Sequence, residues 1–170
     1  MGPGPGRAIG LDLGERRIGV ALSDSARVLA TPYAVLERSG DRQRDRFSIA
    51  ALVEETGATA VVIGLPLGLD GRVGAAARDA LLEAEALGAV VDVPIETADE
   101  RLTTVEVERR RLEAAAQDDG RRRGGRGSRR RSAYGSSRSR ARAVVDDAAA
   151  AVMLQAWLDA RRIAAEGVGT

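Results

Sequence analysis

The sequence predicts an α/β fold built on a mixed five-stranded sheet with helices on both faces. Three observations carry this. Three short extended segments follow one another between Arg7 and Glu37, with no helical stretch between them. Helical and extended segments then alternate from Asp41 to Glu96, as parallel strands with helical crossovers do. Residues 60–64 (AVVIG) form a continuous apolar run, the pattern of a parallel strand buried on both faces.

Residues 7–14 (RAIGLDLG) alternate, with Ile9, Leu11 and Leu13 on one side, and end in an Asp-x-Gly turn. Residues 17–22 (RIGVAL) are a second strand, close enough behind the first to make a hairpin. Residues 27–37 are a third extended stretch. Pro32 within it demands an edge position or a break, because proline has no N–H for the ladder. Residues 41–56 read as a helix with Phe47, Ile49, Ala50, Leu52 and Val53 as its inner stripe and Gly57 as its stop. A second helix follows over 73–87, closed by Gly88, and then a strand over 90–96 (VVDVPIE). Thr103 or Thr104 caps a helix reaching to about Ala116. Residues 144–165 form a last, Ala-rich helix whose inner face is Val145, Ala149, Val152, Met153, Trp157 and Leu158. The chain is thus one domain over 7–166, preceded by a disordered Gly/Pro lead-in at 1–6.

Between these elements, residues 118–142 are low-complexity Arg/Gly/Ser with no apolar periodicity, read as a basic flexible loop. This segment explains an uninformative net charge of +1. From Arg109 to Arg142 thirteen Arg stand against three acids, a local +10, and the rest of the chain carries −9. No stretch is apolar enough to span a bilayer and no signal sequence is visible, so a cytoplasmic protein without a membrane partner is expected.

Composition narrows the chemistry further. The chain of 170 residues has no Cys and no His, and all 26 of its basic residues are Arg. Thiolates, disulfides, imidazole bases and lysine Schiff bases are therefore excluded. Carboxylates, hydroxyls and arginine remain, and the chemistry that fits them is a hard divalent cation held by acidic side chains.

Three acidic positions stand out. Asp12 closes the first strand, at the rim where open α/β sheets place their sites. Alone it is an ordinary Asp-Gly turn. Glu100 follows the fifth strand between Asp99 and Arg101, alone no more than a solvated or salt-bridged turn. Asp146 and Asp147 open the last helix, where acids complement the helix dipole. Brought to one rim, three such carboxylates repel one another, and a divalent cation resolves that repulsion. One or two Mg²⁺ ions, or Mn²⁺, at such a site catalyse phosphodiester cleavage.

Four blocks make the pattern specific: Ile9-Gly-Leu-Asp-Leu-Gly-Glu-Arg-Arg-Ile-Gly-Val-Ala-Leu-Ser-Asp24; Val61-Val-Ile-Gly-Leu-Pro-Leu67 with Asp70-Gly71; Asp99-Glu-Arg-Leu-Thr-Thr104; and residues 145–159 (VDDAAAAVMLQAWLD). In this order they resemble the YqgF/RuvX family of pre-16S rRNA nucleases and Holliday junction resolvase-like proteins. The resemblance implies an RNase H-like fold and a hydrolase acting on ester bonds, with Asp12, Glu100 and Asp146 as catalytic, metal-holding acids. Asp146 is matched by counting nine residues back from Gln155, which leaves Asp147 on a variable position. It also implies substrate contacts or site shaping by Asp99, Arg101, Thr103 and Thr104, and backbone roles for Gly64, Pro66 and Gly71. The basic segment before Asp146 is longer than is usual in the family. It reads in three ways: a low-complexity insertion of a GC-rich genome, a loop that grips nucleic acid through arginines such as Arg129, Arg130 and Arg131, or a contact with ribosomal RNA or another acidic partner without cleavage.

The expected activity is metal-dependent endonucleolytic cleavage of structured nucleic acid, with the 5′ end of pre-16S rRNA as substrate in ribosome biogenesis. Resolution of four-way DNA junctions and non-catalytic RNA binding are the alternatives. A phosphotransferase of the actin-like superfamily is disfavoured by length, because those proteins generally pair two such domains.

Overall fold

The computed structural model describes residues 5–68, 70–99 and 148–167. Three strands, β1 (Arg7–Leu13), β2 (Arg17–Ser23) and β3 (Ala30–Glu37), meander antiparallel. Helix α1 (Arg42–Thr56), strand β4 (Ala58–Leu65), helix α2 (Ala75–Gly88), strand β5 (Ile95–Asp99) and helix α3 (Ala149–Gly167) follow. The sheet order is β3-β2-β1-β4-β5, with β4 parallel to both β1 and β5. The expected mixed five-stranded sheet is therefore present.

Side-chain alternation along the strands divides the core in two. Ile9, Leu11, Ile18, Val20, Val61 and Ile63 face α1 and α2, where they meet Ile49, Val53 and Leu87. Burial of each such aliphatic side chain contributes about 1.5–3 kcal/mol. Ala8, Ala21 and Val62 face the other way, against Ala150, Met153, Leu154, Trp157 and Leu158 of α3. Small residues on that face let α3 sit close. A Cβ on Gly10 would stand 2.9 Å from the Leu154 Cβ and 3.4 Å from the Ala150 carbonyl oxygen. The first turns of α3 thus lie over the middle of β1. Farther along the helix, Trp157 and Arg161 reach Glu96, near the start of β5. The helix consequently runs antiparallel to the three parallel strands, and its N-terminus lies at their C-terminal rim.

The ends of α1 follow their sequence signals. The Asp41 carboxylate accepts from the Gln43 and Arg44 amides, and Gly57 closes the helix at φ 62°. Pro32 lies on the edge strand beside a register shift, with Ala21 opposite Pro32 and Val20 opposite Ala34.

Four expectations need correction. The third strand begins at Ala30 rather than Arg27, because the Asp24 carboxylate gathers the Val28 and Leu29 amides while Arg27 adopts φ 56°. The fifth strand is Ile95–Asp99 rather than 90–96. Its VVDV run is a turn in which Val91 plugs the core, and the strand starts only after Pro94, whose carbonyl accepts from the Val61 amide. Phe47 is 57% exposed, and Asp45 takes the buried place on α1. On α3, Ala149 is exposed while Leu154 and Gln155 are buried. In a helix this rich in alanine, apolar periodicity hardly separates one face from another. Val145 and the helix expected after Thr103 or Thr104 lie outside the described residues, as do residues 118–142 and 1–4. Pro5 and Gly6 are described, and their carbonyls accept from Thr59 and Arg27.

Candidate active site

Asp12 is the sixth residue of β1, half-buried at the C-terminal rim of the sheet. It pairs with Gly19 on β2, and it follows Leu11, whose partner on β4 is Ile63. Alternation from Ala8 and Gly10 gives Asp12 the α3 face. The chain then turns through Gly14, whose amide donates to the Asp12 carbonyl at 3.1 Å. A Cβ on Gly14 would come within 2.6 Å of the Arg17 carbonyl oxygen, so the tightness of this turn requires glycine.

A cleft of about 650 Å³ opens at this rim. Asp12 and Gly14 of the first turn line it, with Gly64 and Pro66 from the end of β4 and Arg38, Arg42, Asp79 and Glu83 from the segment around α1 and from α2. In the loop after β4, Gly71 adopts φ 78° and donates to the Gly68 carbonyl at 2.8 Å, in keeping with the backbone role expected of it.

The α1–α2 wall of the cleft is a sequence of closed ion pairs. Arg42 forks onto both oxygens of Asp79 at 3.0 Å, and Arg46 forks onto Glu83 at 2.8 and 3.0 Å. The hydrogen bond from Arg42 holds Asp79 below the usual carboxylate range and Arg42 above the usual guanidinium value. Asp45 is a second anchor. Burial alone would raise its pKa, but the Ser39 hydroxyl at 2.7 Å, the Ser39 amide at 2.9 Å and Arg38 together hold it low. Arg38 also reaches back, donating from Nε to the Gly14 carbonyl at 3.1 Å and from its amide to the Arg16 carbonyl at 2.9 Å. The β1–β2 turn that follows Asp12 is thereby tied to the start of α1.

At the opposite end of the sheet, Trp157 lies between Arg27 and Arg161, whose guanidinium carbons are 5.7 and 4.7 Å from the ring centre. Burial, with Arg161 nearby, lowers the Arg27 pKa. Gln155 clamps α3 to the β2–β3 connection: its Oε1 accepts from the Ala30 amide at 2.9 Å and its Nε2 donates to the Val28 carbonyl at 3.0 Å.

Of the acids expected to hold metal, Asp12 is the one within the described residues. Glu100 and Asp146 lie outside them, as do Arg101, Thr103, Thr104, Arg129, Arg130 and Arg131. Asp99 is described, half-buried at the end of β5 opposite Leu65. Among the described residues, no three acids cluster in a way that could hold a metal ion. Three features at the rim escaped the sequence reading: the buried Asp45, the Arg38 tie and the α1–α2 ion pairs. The two forks join residues thirty-seven apart in the chain, a separation that no local pattern signals.

Known proteins place this architecture. The model of a family described as "RuvX: Holliday junction resolvase" matches residues 6–127. The chain belongs to the RuvX family. Two relatives, each named "Putative pre-16S rRNA nuclease", span nearly all of it. One from Mycobacterium ulcerans is 43% identical over 169 residues, covering 98% of this chain and 86% of that protein. One from Mycolicibacterium paratuberculosis is 44% identical over 170 residues, covering 98% and 88%. Among solved structures, T. thermophilus RuvC in complex with a Holliday junction substrate superposes with a TM-score of 0.51 at 14% identity, covering 92% of this chain and 96% of that one. At that identity the likeness speaks for the shared RNase H-like fold alone. In this RuvX chain no described helix is long and apolar enough to cross a membrane.

Proposed function

We propose that this RuvX chain is a metal-dependent endonuclease that hydrolyses phosphodiester bonds at the 5′ end of the 16S rRNA precursor. The observation that carries the reading is the position of Asp12. It is a half-buried carboxylate at the C-terminal rim of the central strand, beside a cleft large enough for a nucleotide, in a chain without Cys, His or Lys. The choice of RNA over a DNA junction rests on the names of the relatives at 43–49% identity.

The oxygen donors fit a hard divalent cation, Mg²⁺ or Mn²⁺. Asp12, Glu100 and Asp146 would hold it. Two placements favour this set. Asp99 ends β5 opposite Leu65 at the C-terminal rim where Asp12 lies, and Glu100 is the next residue in the sequence. The first turns of α3 lie over Gly10, two residues before Asp12 on β1, and Asp146 precedes Ala149 by three residues in the sequence. Such an ion supplies charge neutralisation at the phosphate and activation of the attacking water. The protein's own part is to fix Asp12 in the ladder against Gly19, to hold the following turn rigid through Gly14 and Arg38, and to keep α3 docked by Gln155. Arginines beyond β5, among them Arg101 and Arg129–131, would hold flanking phosphates.

The test is cleavage of an end-labelled 16S precursor fragment, with a synthetic four-way DNA junction as the second substrate, with and without Mg²⁺. Asp12→Asn is expected to lower Mg²⁺-dependent cleavage by about a thousandfold while leaving the melting temperature unchanged. Retained cleavage by Asp12→Asn removes Asp12 from the site. Preference for the junction favours the resolvase reading. Tight RNA binding that survives loss of Mg²⁺ and of all three acids, with no cleavage by the wild type, makes the chain a binding factor.

A further inference from the structure

We propose that the tip of the β1–β2 hairpin is a phosphate-binding element, in which Arg17, with Arg16 beside it, contacts the phosphodiester backbone next to the bond cut at Asp12. This rests on the nuclease reading above.

The register of the sheet places Arg17. Asp12 pairs with Gly19, and Arg17 is two residues earlier on β2. Side chains of a strand alternate between faces, and Ala21 packs against α3, so Gly19 and Arg17 share that face with Asp12. Arg17 is therefore the diagonal neighbour of Asp12 across an antiparallel pair, a separation that long side chains span. The residue between them on that face is glycine and adds no side chain of its own.

Charge availability distinguishes this pair of arginines from those on the cleft wall. Arg42 and Arg46 are engaged by carboxylates, and Arg161 is engaged by Glu96 at 2.6 Å. Arg16 and Arg17 are exposed and, among the described residues, neither makes an ion pair or side-chain hydrogen bond. Glu37 stands opposite Arg17 in the β2–β3 register without coming within ion-pair distance. A guanidinium in this state presents its donor fork to a bidentate oxyanion, and phosphate is the oxyanion the proposed reaction brings to Asp12.

Rigidity completes the case. The hairpin tip is tied down at two carbonyls, Gly14 and Arg16, both by Arg38, and Arg38 is held in turn by the buried Asp45. A contact carried on a pinned turn loses little conformational freedom when substrate arrives.

The experiment measures binding of the 16S precursor fragment and of the four-way DNA junction over a salt series, with Ca²⁺ in place of Mg²⁺, for wild type, Arg17→Ala, Arg17→Lys and the Arg16→Ala/Arg17→Ala double variant. Arg17→Ala is expected to weaken binding about tenfold and to lower the slope of log K against log salt by about 1, and the double variant by about 2. Arg17→Lys should restore the slope but only part of the affinity, because it keeps the charge and loses the fork. In cleavage assays the loss should sit in KM rather than kcat. Wild-type binding and cleavage with variants that match it at every salt overturn the hairpin contact alone. A fall in melting temperature with an unchanged salt slope overturns it too, by making the arginines structural. A wild-type chain that binds neither probe overturns the nuclease reading and the hairpin contact together.

Discussion

On the α1–α2 side of the sheet, the arginines that line the rim are engaged, Arg42 by Asp79 and Arg38 by Asp45, and Arg46 behind them holds Glu83. On the α3 side of the same rim, Asp12 stands near the exposed Arg16 and Arg17, and the strand residues beneath are mostly small, with Ala8, Gly10 and Ala21 beside Val62. The first side resembles a finished wall, with large side chains below and charges neutralised above. The second is a close-fitting platform that brings one helix N-terminus to one strand end. Ion pairing stiffens the wall, and close backbone approach positions the site.

The largest expected effect breaks the platform. Gly10→Val would push against the Leu154 Cβ, which is fixed close to the α3 backbone and cannot swing aside. Destabilisation of about 3 kcal/mol is expected, a fall in melting temperature of roughly 6–12 °C for a chain of this size. Trp157 is the only tryptophan in the chain and lies on α3, so its fluorescence reports whether that helix loosens.

The next effect tests the wall at its buried point. Asp45→Ala removes an acceptor shared by Ser39 and Arg38 and should cost about 2–3 kcal/mol in chemical denaturation. Its pH dependence has a definite sign. The folded-state pKa of Asp45 is lowered, so its stabilisation is fully present above the unfolded value near 3.9. That stabilisation is lost as pH falls through the folded value. The gap between wild type and Asp45→Ala should therefore be constant at neutral pH and close below about pH 4. A gap that widened on acidification would contradict this.

The smallest effect sharpens the contrast between buried and exposed pairs on that wall. Asp79→Asn breaks the fork from Arg42, but both side chains are 56% exposed. Solvent screens such a pair, and a loss of at most about 0.5–1 kcal/mol is expected, shrinking further in high salt.

The sequence made the central architecture legible because its signals there were local. Alternation marked β1, β-branched continuity marked β4, and Asp41 and Gly57 marked the ends of α1. It misplaced β5 because VVDV has the composition of a strand, while the decisive constraint is Pro94 with its carbonyl turned to Val61. It placed Phe47 inside because apolar character predicts burial only on average, and a hydrogen-bonded Asp45 packs there instead. For the site, Asp12 was readable because a carboxylate and a glycine at a strand end form a local motif. The Arg38 tie and the hold of Gln155 on Ala30 join residues 24 and 125 apart, and only the folded chain brings them together.

The clamp that Gln155 and Gly10 place on α3 has a consequence for how such a chain can vary. Asp99 and Ala148 are fixed independently, one by pairing with β4 and the other by the docking of α3 on β1. Forty-eight residues separate them. Closing a connection between two fixed ends costs only about 0.6 kcal/mol more for each doubling of its length. The places of β5 and α3 therefore do not depend on how many residues join them, and neither anchor draws on the arginine-rich sequence at 118–142. Trimming that sequence, with Glu100 and Asp146 kept, should leave the docking of α3 on β1 intact.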